Sequence, residues 1–366
     1  MSADMWNNND EILKADFSGK LILYLGADWW GSDARALAQA LRRQGNCLIE
    51  VQYEDYLPVQ WSGILLKVLR RLIKPWCITS YNRAVRRHLD NPAIDFLIVF
   101  KGNGLNPATL KAFRKEGLAC YCFYPDVGFA PHGQNVVECL PYYNAVFTTK
   151  DFHLQEETLR AHFKDARLVQ HGFDPEVHRP VRLSERVRRS YGCDVSFVGN
   201  WSRKKELLVA TLLEAQPTCH VILWGLGWER SAKQVQQCWA RRGAFGDESA
   251  IIYQCSKINL GLLSEAQIDT KSGDQTTVRT WQIPAAGGFL LHEATTELEK
   301  YYVAGREVAT FTDAADMSKQ VAYYLANPDV RNQLAAAGQQ RCKAAQYTYD
   351  AAATTICAYH ENRTVR

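Results

Sequence analysis

The sequence predicts an α/β protein of two Rossmann-like halves, and three observations predict it. Strand-length apolar runs alternate with helix-period segments from Leu21 to Gln170, and the alternation restarts at Asp194. Between the two series lies His171-Gly-Phe-Asp-Pro-Glu-Val-His-Arg-Pro180, whose two prolines break the pattern. With 366 residues and 47% hydrophobic content, the chain is too long for one ordinary α/β core and long enough for two. The expected organisation is a tail over 1–19, a domain over 20–175, a linker over 176–192, a second domain over 193–345, and a C-terminal helix over 346–366 returning to the first domain.

In the first half, Leu21–Leu25 reads as a buried strand. The turn Gly26-Ala-Asp28-Trp-Trp-Gly31 follows, then a helix from Asp33 through Leu41 capped by Ser32 or Asp33. The turn has spaced glycines but no GxGxxG, which argues against a dinucleotide site. Residues 61–88 carry Lys67, Arg70, Arg71, Lys74, Arg83, Arg86 and Arg87, with no acid between Asp55 and Asp90. Ile64, Leu65, Val68, Leu69 and Leu72 recur opposite the first of those charges, giving an amphipathic helix with a cationic face. The pattern does not distinguish a solvated face from docking to an anionic membrane surface or a lipid-phosphate acceptor.

The next strand, Ile94–Phe100, runs into Lys101-Gly-Asn103-Gly104; a helix from Pro107 to Glu116 and a strand Ala119–Phe123 follow. That strand ends in Tyr124-Pro-Asp126-Val-Gly-Phe-Ala-Pro-His132-Gly133. Ligands of open α/β sheets gather at the carboxyl ends of strands, which makes Asp126 and His132 candidates; a helix cap and a surface histidine are the plainer alternatives. Asn144–Thr148 and Arg167–Gln170 read as the last strands of this half.

Composition excludes several classes. The eleven cysteines are scattered, several inside apolar runs, and no CxxC occurs, so neither a stapled scaffold nor a four-ligand zinc site is expected. The first ten residues have neither a basic start nor an apolar core, and no later run reaches spanning length. A reduced, cytoplasmic chain is expected, with the segment 61–88 available for peripheral contact at the inner face of a membrane. A net charge of +4 is too mild to imply nucleic acid.

The second half is organised around Tyr253 to Phe311. Ser256–Leu263 has strand character, a polar stretch runs to Gln275, and Thr276 to Ala286 has helical length closed by Gly287-Gly288. A helix start offers free N–H groups to a phosphate, with Arg279 one turn further in. Earlier, Asp194–Val198 reads as a strand leading through Gly199 to a helix capped by Ser202. Arg203, Lys204 and Lys205 in its first turn oppose the helix dipole unless an anion sits there. Cys219–Trp224 and the turn Gly225-Leu-Gly227 come next; Glu307–Phe311 precedes helices over 314–326, 329–344 and 348–360.

These halves suggest the GT-B architecture of nucleotide-sugar glycosyltransferases. Asp194-Val-Ser-Phe-Val-Gly-Asn200, Tyr253–Leu260, Arg279-Thr-Trp-Gln-Ile-Pro-Ala-Ala-Gly-Gly-Phe289, Gly305–Val308 and Tyr323–Pro328 resemble the C-terminal domain of the CgeB-like (spore maturation protein) glycosyltransferases. Asp95–Gly102, Thr148–Lys150 and Asp174–Pro180 resemble that family's first half and linker more loosely. The resemblance implies a nucleotide-diphosphate sugar donor bound mainly by the second domain. It implies transfer of the sugar to an acceptor held by the first, on a side that here carries Gly26, Asp28, Lys101 and Asn103.

A Glu-x7-Glu pattern serves the donor in the broader retaining group; Asp274 and Gln282 occupy the corresponding positions here, and neither is Glu. On the donor side, the chemistry of a departing diphosphate and the helix ends add Gly199, Arg203, Lys205 and Gly287, with Gly225 and Tyr253 expected to flank the nucleobase. Arg279, Lys205 and Arg203 are the expected stabilisers of the departing diphosphate. Neither a metal nor another cofactor is expected, since no Asp-x-Asp is present to hold one. An inverting reaction would require a base, for which Asp126 or His132 would serve; the broader resemblance leans towards retention. Two further readings remain at this point: a GT-B-shaped binding or scaffold protein, favoured by Gln282, and a nucleotide-sugar epimerase, which would require more acidic and histidine groups than are seen.

Overall fold

The computed structural model describes residues 17–57, 64–155, 162, 165–265 and 273–364. The expected N-terminal tail therefore lies outside the described residues up to 16, as do 61–63 of the basic segment and 266–272 of the polar stretch. The chain divides into one unit of Met1–Gln170 with Tyr349–Arg366 and a second of His171–Thr348.

The first unit holds a sheet of β1 (Leu21–Leu25), β2 (Cys47–Glu50), β3 (Phe96–Phe100), β4 (Ala119–Tyr124), β5 (Ala145–Thr148) and β6 (Ala166–Leu168), in the order β2-β1-β3-β4-β5-β6. All its pairings are parallel. Both faces are covered, which is why β3 and β4 read as unbroken apolar runs rather than alternating ones. Helix α1 (Asp33–Arg43) follows β1, its start fixed by Ser32 Oγ accepting from Arg35 N at 2.9 Å. The helix over Ile64–Arg86 is α2, α3 is Pro107–Lys115, and the short α4 is Gln134–Cys139. Strand β2 was not read from the sequence: it has only four residues and none of them is buried.

The second unit holds β7 (Cys193–Val198), β8 (Val221–Trp224), β9 (Ser256–Gly261), β10 (Leu290–Glu293) and β11 (Ala309–Phe311), ordered β11-β10-β9-β7-β8 and again all parallel. Its helices include α5 (Glu185–Tyr191), α6 (Arg203–Ala215), α7 (Asp247–Cys255), α8 (Val278–Ala285), α9 (Ala314–Ala326) and α10 (Pro328–Ala344). The buried Asn259 on β9 accepts from Ser196 Oγ and donates to the Tyr253 and Phe289 carbonyls, tying β7, α7 and the entry to β10. Residues 185–191, expected as linker, form α5. Helix α7 runs directly into β9, and Tyr253 lies in its last turn.

The last helix, α11 (Asp350–Thr364), packs on the first unit, as expected from the sequence. Ala353, Ile356 and Cys357 join Leu37 and Leu41 of α1 over the sheet. Gln44 Nε2 donates to Thr354 Oγ1 at 2.7 Å, and Lys20 pairs with Glu361 at 2.6 Å.

Candidate functional site

In the second unit, the carboxyl ends of β7, β9 and β10 collect most of the donor-side candidates. Arg279 is the second residue of α8, not one turn into it, because the helix begins at Val278 behind Thr277. It is 8% exposed, so it is not a surface cation. Its Nη1 donates to Val198 O (3.0 Å) and its Nη2 to Leu262 O (2.7 Å), joining the ends of β7 and β9, while Nε has no acceptor among the described residues. Gly199 makes this possible: a Cβ there would lie 2.9 Å from Arg279 Nη1 and 2.6 Å from the Phe197 ring.

Lys205 shares the Phe197 ring with Arg279: the ring centroid lies 5.8 Å from the Lys205 ammonium and 4.9 Å from the Arg279 guanidinium carbon. Its Nζ donates to Ser264 Oγ (2.9 Å) and Asn200 O (3.3 Å), leaving one of three donors over. Lys205 is 5% exposed. Burial, with the Arg279 charge adding to it, brings its pKa down to about 8. Burial also pulls the Arg279 guanidinium below its ordinary value. Asp274, Glu265 and Glu293 act on this pair from a distance, but among the described residues no carboxylate reaches either cation.

The neighbouring cations are committed. Arg203, more than half exposed, pairs with Glu206 at 3.0 Å, and Lys204 pairs with Glu293. Glu206 is buried and also accepts from Trp201 Nε1 and Ala232 N, which resolves the conflict of three cations in a first turn. That pairing engages Arg203, which was expected to face the donor, with Glu206. Sequence reasoning missed Ser264 and Glu293; a lone acid ending a strand was the only signal for Glu293, which also accepts from Leu263 N at 2.6 Å.

Gln282 is 8% exposed, on the same helix as Arg279. Asp274 is half-buried, its N–H donating to Ser264 O at 2.8 Å. Tyr253 is 2% exposed in a core cluster with Trp281, Tyr301 and Tyr302, so its expected place beside a nucleobase is corrected. Gly225 and Gly287 have backbone reasons instead. Gly225 (φ +150°) lets its turn lie against Gly199, and Gly287 (φ +83°) ends α8 in the left-handed region.

In the first unit, the loops after β3 and β4 converge. Lys101 (φ +65°), Gly102 and Gly104 put the β3 loop in the left-handed region, strained at the lysine. Lys101 Nζ lies 2.8 Å and His132 Nε2 3.1 Å from Asp126 Oδ2. Burial favours a protonated Asp126, but the His132 hydrogen bond and the Lys101 charge outweigh it and hold the carboxyl well below the usual range. A carboxylate so stabilised is a weak base, which counts against Asp126 as the proton acceptor. Asn103 Oδ1 is enclosed without a donor among the described residues. Asp28, half-buried, pairs with Arg35 at 3.5 Å, and Gly26 sits where a Cβ would strike the Tyr24 ring at 2.5 Å.

Comparison with known proteins identifies the fold. Sucrose-phosphate synthase from Thermosynechococcus elongatus superposes with a TM-score of 0.63 at 13% identity, covering 95% of this chain and 100% of that one. Anabaena HepE, solved with UDP-glucose, gives 0.61 at 10% identity over 94% of this chain and 100% of its own. The fold is GT-B. A glycosyltransferase from Rickettsia africae gives 0.60 at 9% identity, covering 94% and 98%. Residues 203–358 match a family model described as glycosyl transferase-like. No curated protein matches the chain.

Proposed function

We propose that this GT-B protein is a glycosyltransferase that binds a nucleotide-diphosphate sugar through its second unit and transfers the sugar to an acceptor held by the first. The observation that carries the proposal is the pair Lys205 and Arg279: two cations at most 8% exposed, with donors to spare and, among the described residues, no carboxylate in contact. Burying a cation without a counter-ion is costly, and a diphosphate is the anion that such a pair at the carboxyl ends of β7 and β9 would accept. As the sugar–phosphate bond breaks, negative charge grows on the diphosphate. A fixed ammonium in a dry site stabilises that charge more than it stabilises the ground state. Lys205 and Arg279 supply the positive charge that a metal would otherwise bring, so the proposed reaction is metal-independent.

Retention of configuration is part of the proposal: the broader resemblance leans that way, and Asp126, bonded by Lys101 and His132, is too weak a base to take up the proton that inversion would release. The cluster of Lys101, Asp126 and His132 is assigned to holding and polarising an acceptor hydroxyl. The finer CgeB-like assignment rests on the residues quoted above, and the solved relative with UDP-glucose supports a nucleotide-sugar donor. The buried amide of Gln282 is assigned to the donor's ribose hydroxyls, where it offers one accepting oxygen in place of a carboxylate's two.

A thermal-shift series with UDP, GDP, ADP, CMP, dTDP and their sugar conjugates tests the proposal. One nucleotide should raise the midpoint, by the equivalent of about 2.7 kcal/mol at a hundred times its dissociation constant. Gln282→Glu should strengthen that ligand by about 1–2 kcal/mol through a charge-assisted bond. Absence of any shift at millimolar nucleotide, in both proteins, would sink the donor site. A shift that appears only in Gln282→Glu would favour a binding protein that has lost turnover.

A further inference from the structure

Helix α2 presents its apolar side outward. None of its described side chains from Leu66 to Ser80 is buried, whereas Tyr81, Asn82, Ala84 and Val85 are. Asn82 anchors the helix at that point: Nδ2 donates to Gly104 O, and Oδ1 accepts from Asn106 N and Thr109 Oγ1, each at 2.8 Å. Tyr81 packs on Tyr53 and Tyr56 alongside. From Leu66 to Ser80, N-terminal to this anchor, the helix forms an arm from the β3 loop that carries Lys101 and Asn103, half-buried at Arg70, Ile73, Cys77 and Ile78 and exposed at its other described side chains. At 1.5 Å per residue, Ile64 to Tyr81 spans about 25 Å.

The arm's outward row is Leu69, Leu72, Trp76, Ser80, Arg83 and Arg87, spaced at three or four residues and therefore on one face. It runs from apolar to basic. Leu66, Val68, Leu69, Leu72 and Trp76 are 41 to 70% exposed, an unusual density of large apolar groups on one helix. Arg71, Lys74, Arg83, Arg86 and Arg87 are exposed as well, and the helix contains no acid at all. A protein partner or a second copy would have to match both an apolar stripe and this unrelieved positive charge, and the chain's own exposed helix offers only more positive charge. An anionic bilayer surface matches both at once: acyl chains take the leucines, the interface takes Trp76, and headgroup phosphates take the arginines. Among the described residues no helix is long and apolar enough to cross a membrane.

We infer that α2 docks this protein on an anionic lipid surface, lying in the interface by its Leu66–Trp76 face. The anchor at Asn82 then holds the loop bearing Lys101 and Asn103 beside the bilayer. An acceptor reaching that loop is therefore presented at the membrane surface rather than from bulk solution.

The test is flotation of the full chain with vesicles of phosphatidylcholine alone or mixed with phosphatidylglycerol, combined with light scattering of the free protein. Wild type should float with the mixed vesicles, weakly with the neutral ones, and release as salt rises. The double variant Leu72→Glu with Trp76→Glu should lose at least about ten-fold in partitioning with its melting temperature unchanged, since neither side chain is buried. Arg83→Gln with Arg87→Gln, which leaves the apolar stripe intact, should lose binding to the anionic vesicles selectively. Failure to float with anionic vesicles, or equal flotation by the Leu72/Trp76 variant, overturns the inference. So does a wild-type dimer that this variant converts to monomer without any lipid binding, because the face is then covered by a second copy.

Discussion

Lys205→Met should make the unliganded protein more stable and at the same time abolish most of its response to nucleotide. The ammonium is 5% exposed, and its folded pKa of about 8 lies below the ordinary 10.5. That depression means that the fold disfavours the charged form, by the equivalent of about 3 kcal/mol at neutral pH. Methionine keeps the length and packing of the stem and removes the charge. The lost partners, Asn200 O and Ser264 Oγ, are on exposed or half-buried residues and can turn to water, so a net gain of about 2 kcal/mol is expected. Nucleotide-diphosphate affinity should fall ten- to a hundred-fold, the worth of a charge-assisted contact.

The pH dependence follows with a fixed sign. Below about pH 8 Lys205 is charged in both states and the full penalty applies; between about 8 and 10.5 the unfolded chain binds the extra proton, so wild-type stability rises with pH. The difference in melting temperature between Lys205→Met and wild type should therefore shrink across that interval, while wild-type affinity for the diphosphate declines. A destabilised Lys205→Met, or one that still responds fully to nucleotide, would show that the lysine is structural and the anion site lies elsewhere.

The strands and caps of this fold were largely legible because local chemistry decides them. Ser32 caps α1 by the bond its position predicts, and Leu21–Leu25 is apolar enough to be buried on both faces. Gly287 marks the end of α8 because only glycine enters that conformation cheaply. What was not legible depends on long-range burial. In Arg203-Lys204-Lys205 the letters are almost equivalent, yet Glu206 takes the first and Glu293 takes the second. Lys205 alone of the three turns inward, with no carboxylate against it among the described residues. Tyr253 could not be told from a pocket residue until α7 packed it among Trp281, Tyr301 and Tyr302. The apolar repeat in α2 predicted a helix correctly, but periodicity cannot say whether the stripe faces a core or leaves it.

Gly225→Ala is expected to be among the most damaging single-methyl changes in the second unit. Its Cβ would fall 2.0 Å from Gly199 O and 2.5 Å from Gly199 C. Both are backbone atoms, which cannot swing aside as a side-chain tip can. The turn after β8 and the turn after β7 must therefore separate, and φ of +150° adds strain for any residue with a Cβ. Separation breaks the bond from Gly199 N to Trp224 O (2.7 Å) and disturbs Trp228 Nε1 donating to Gly199 O (3.0 Å). A loss of about 3 kcal/mol or more is expected, read as a fall in the denaturant midpoint. The damage also reaches the anion site, because Gly199 is the residue whose missing side chain admits Arg279 Nη1, and Asn200 O beside it holds Lys205. Nucleotide binding should thus fall even under conditions where Gly225→Ala remains folded. Gly305→Ala is the control: it also has positive φ (+75°), but its Cβ would meet nothing within 4 Å. It should cost only the conformational strain of about 1 kcal/mol and leave nucleotide binding intact. Equal losses in the two variants would mean that backbone conformation, and not the contact between the β7 and β8 turns, sets the requirement for glycine at 225.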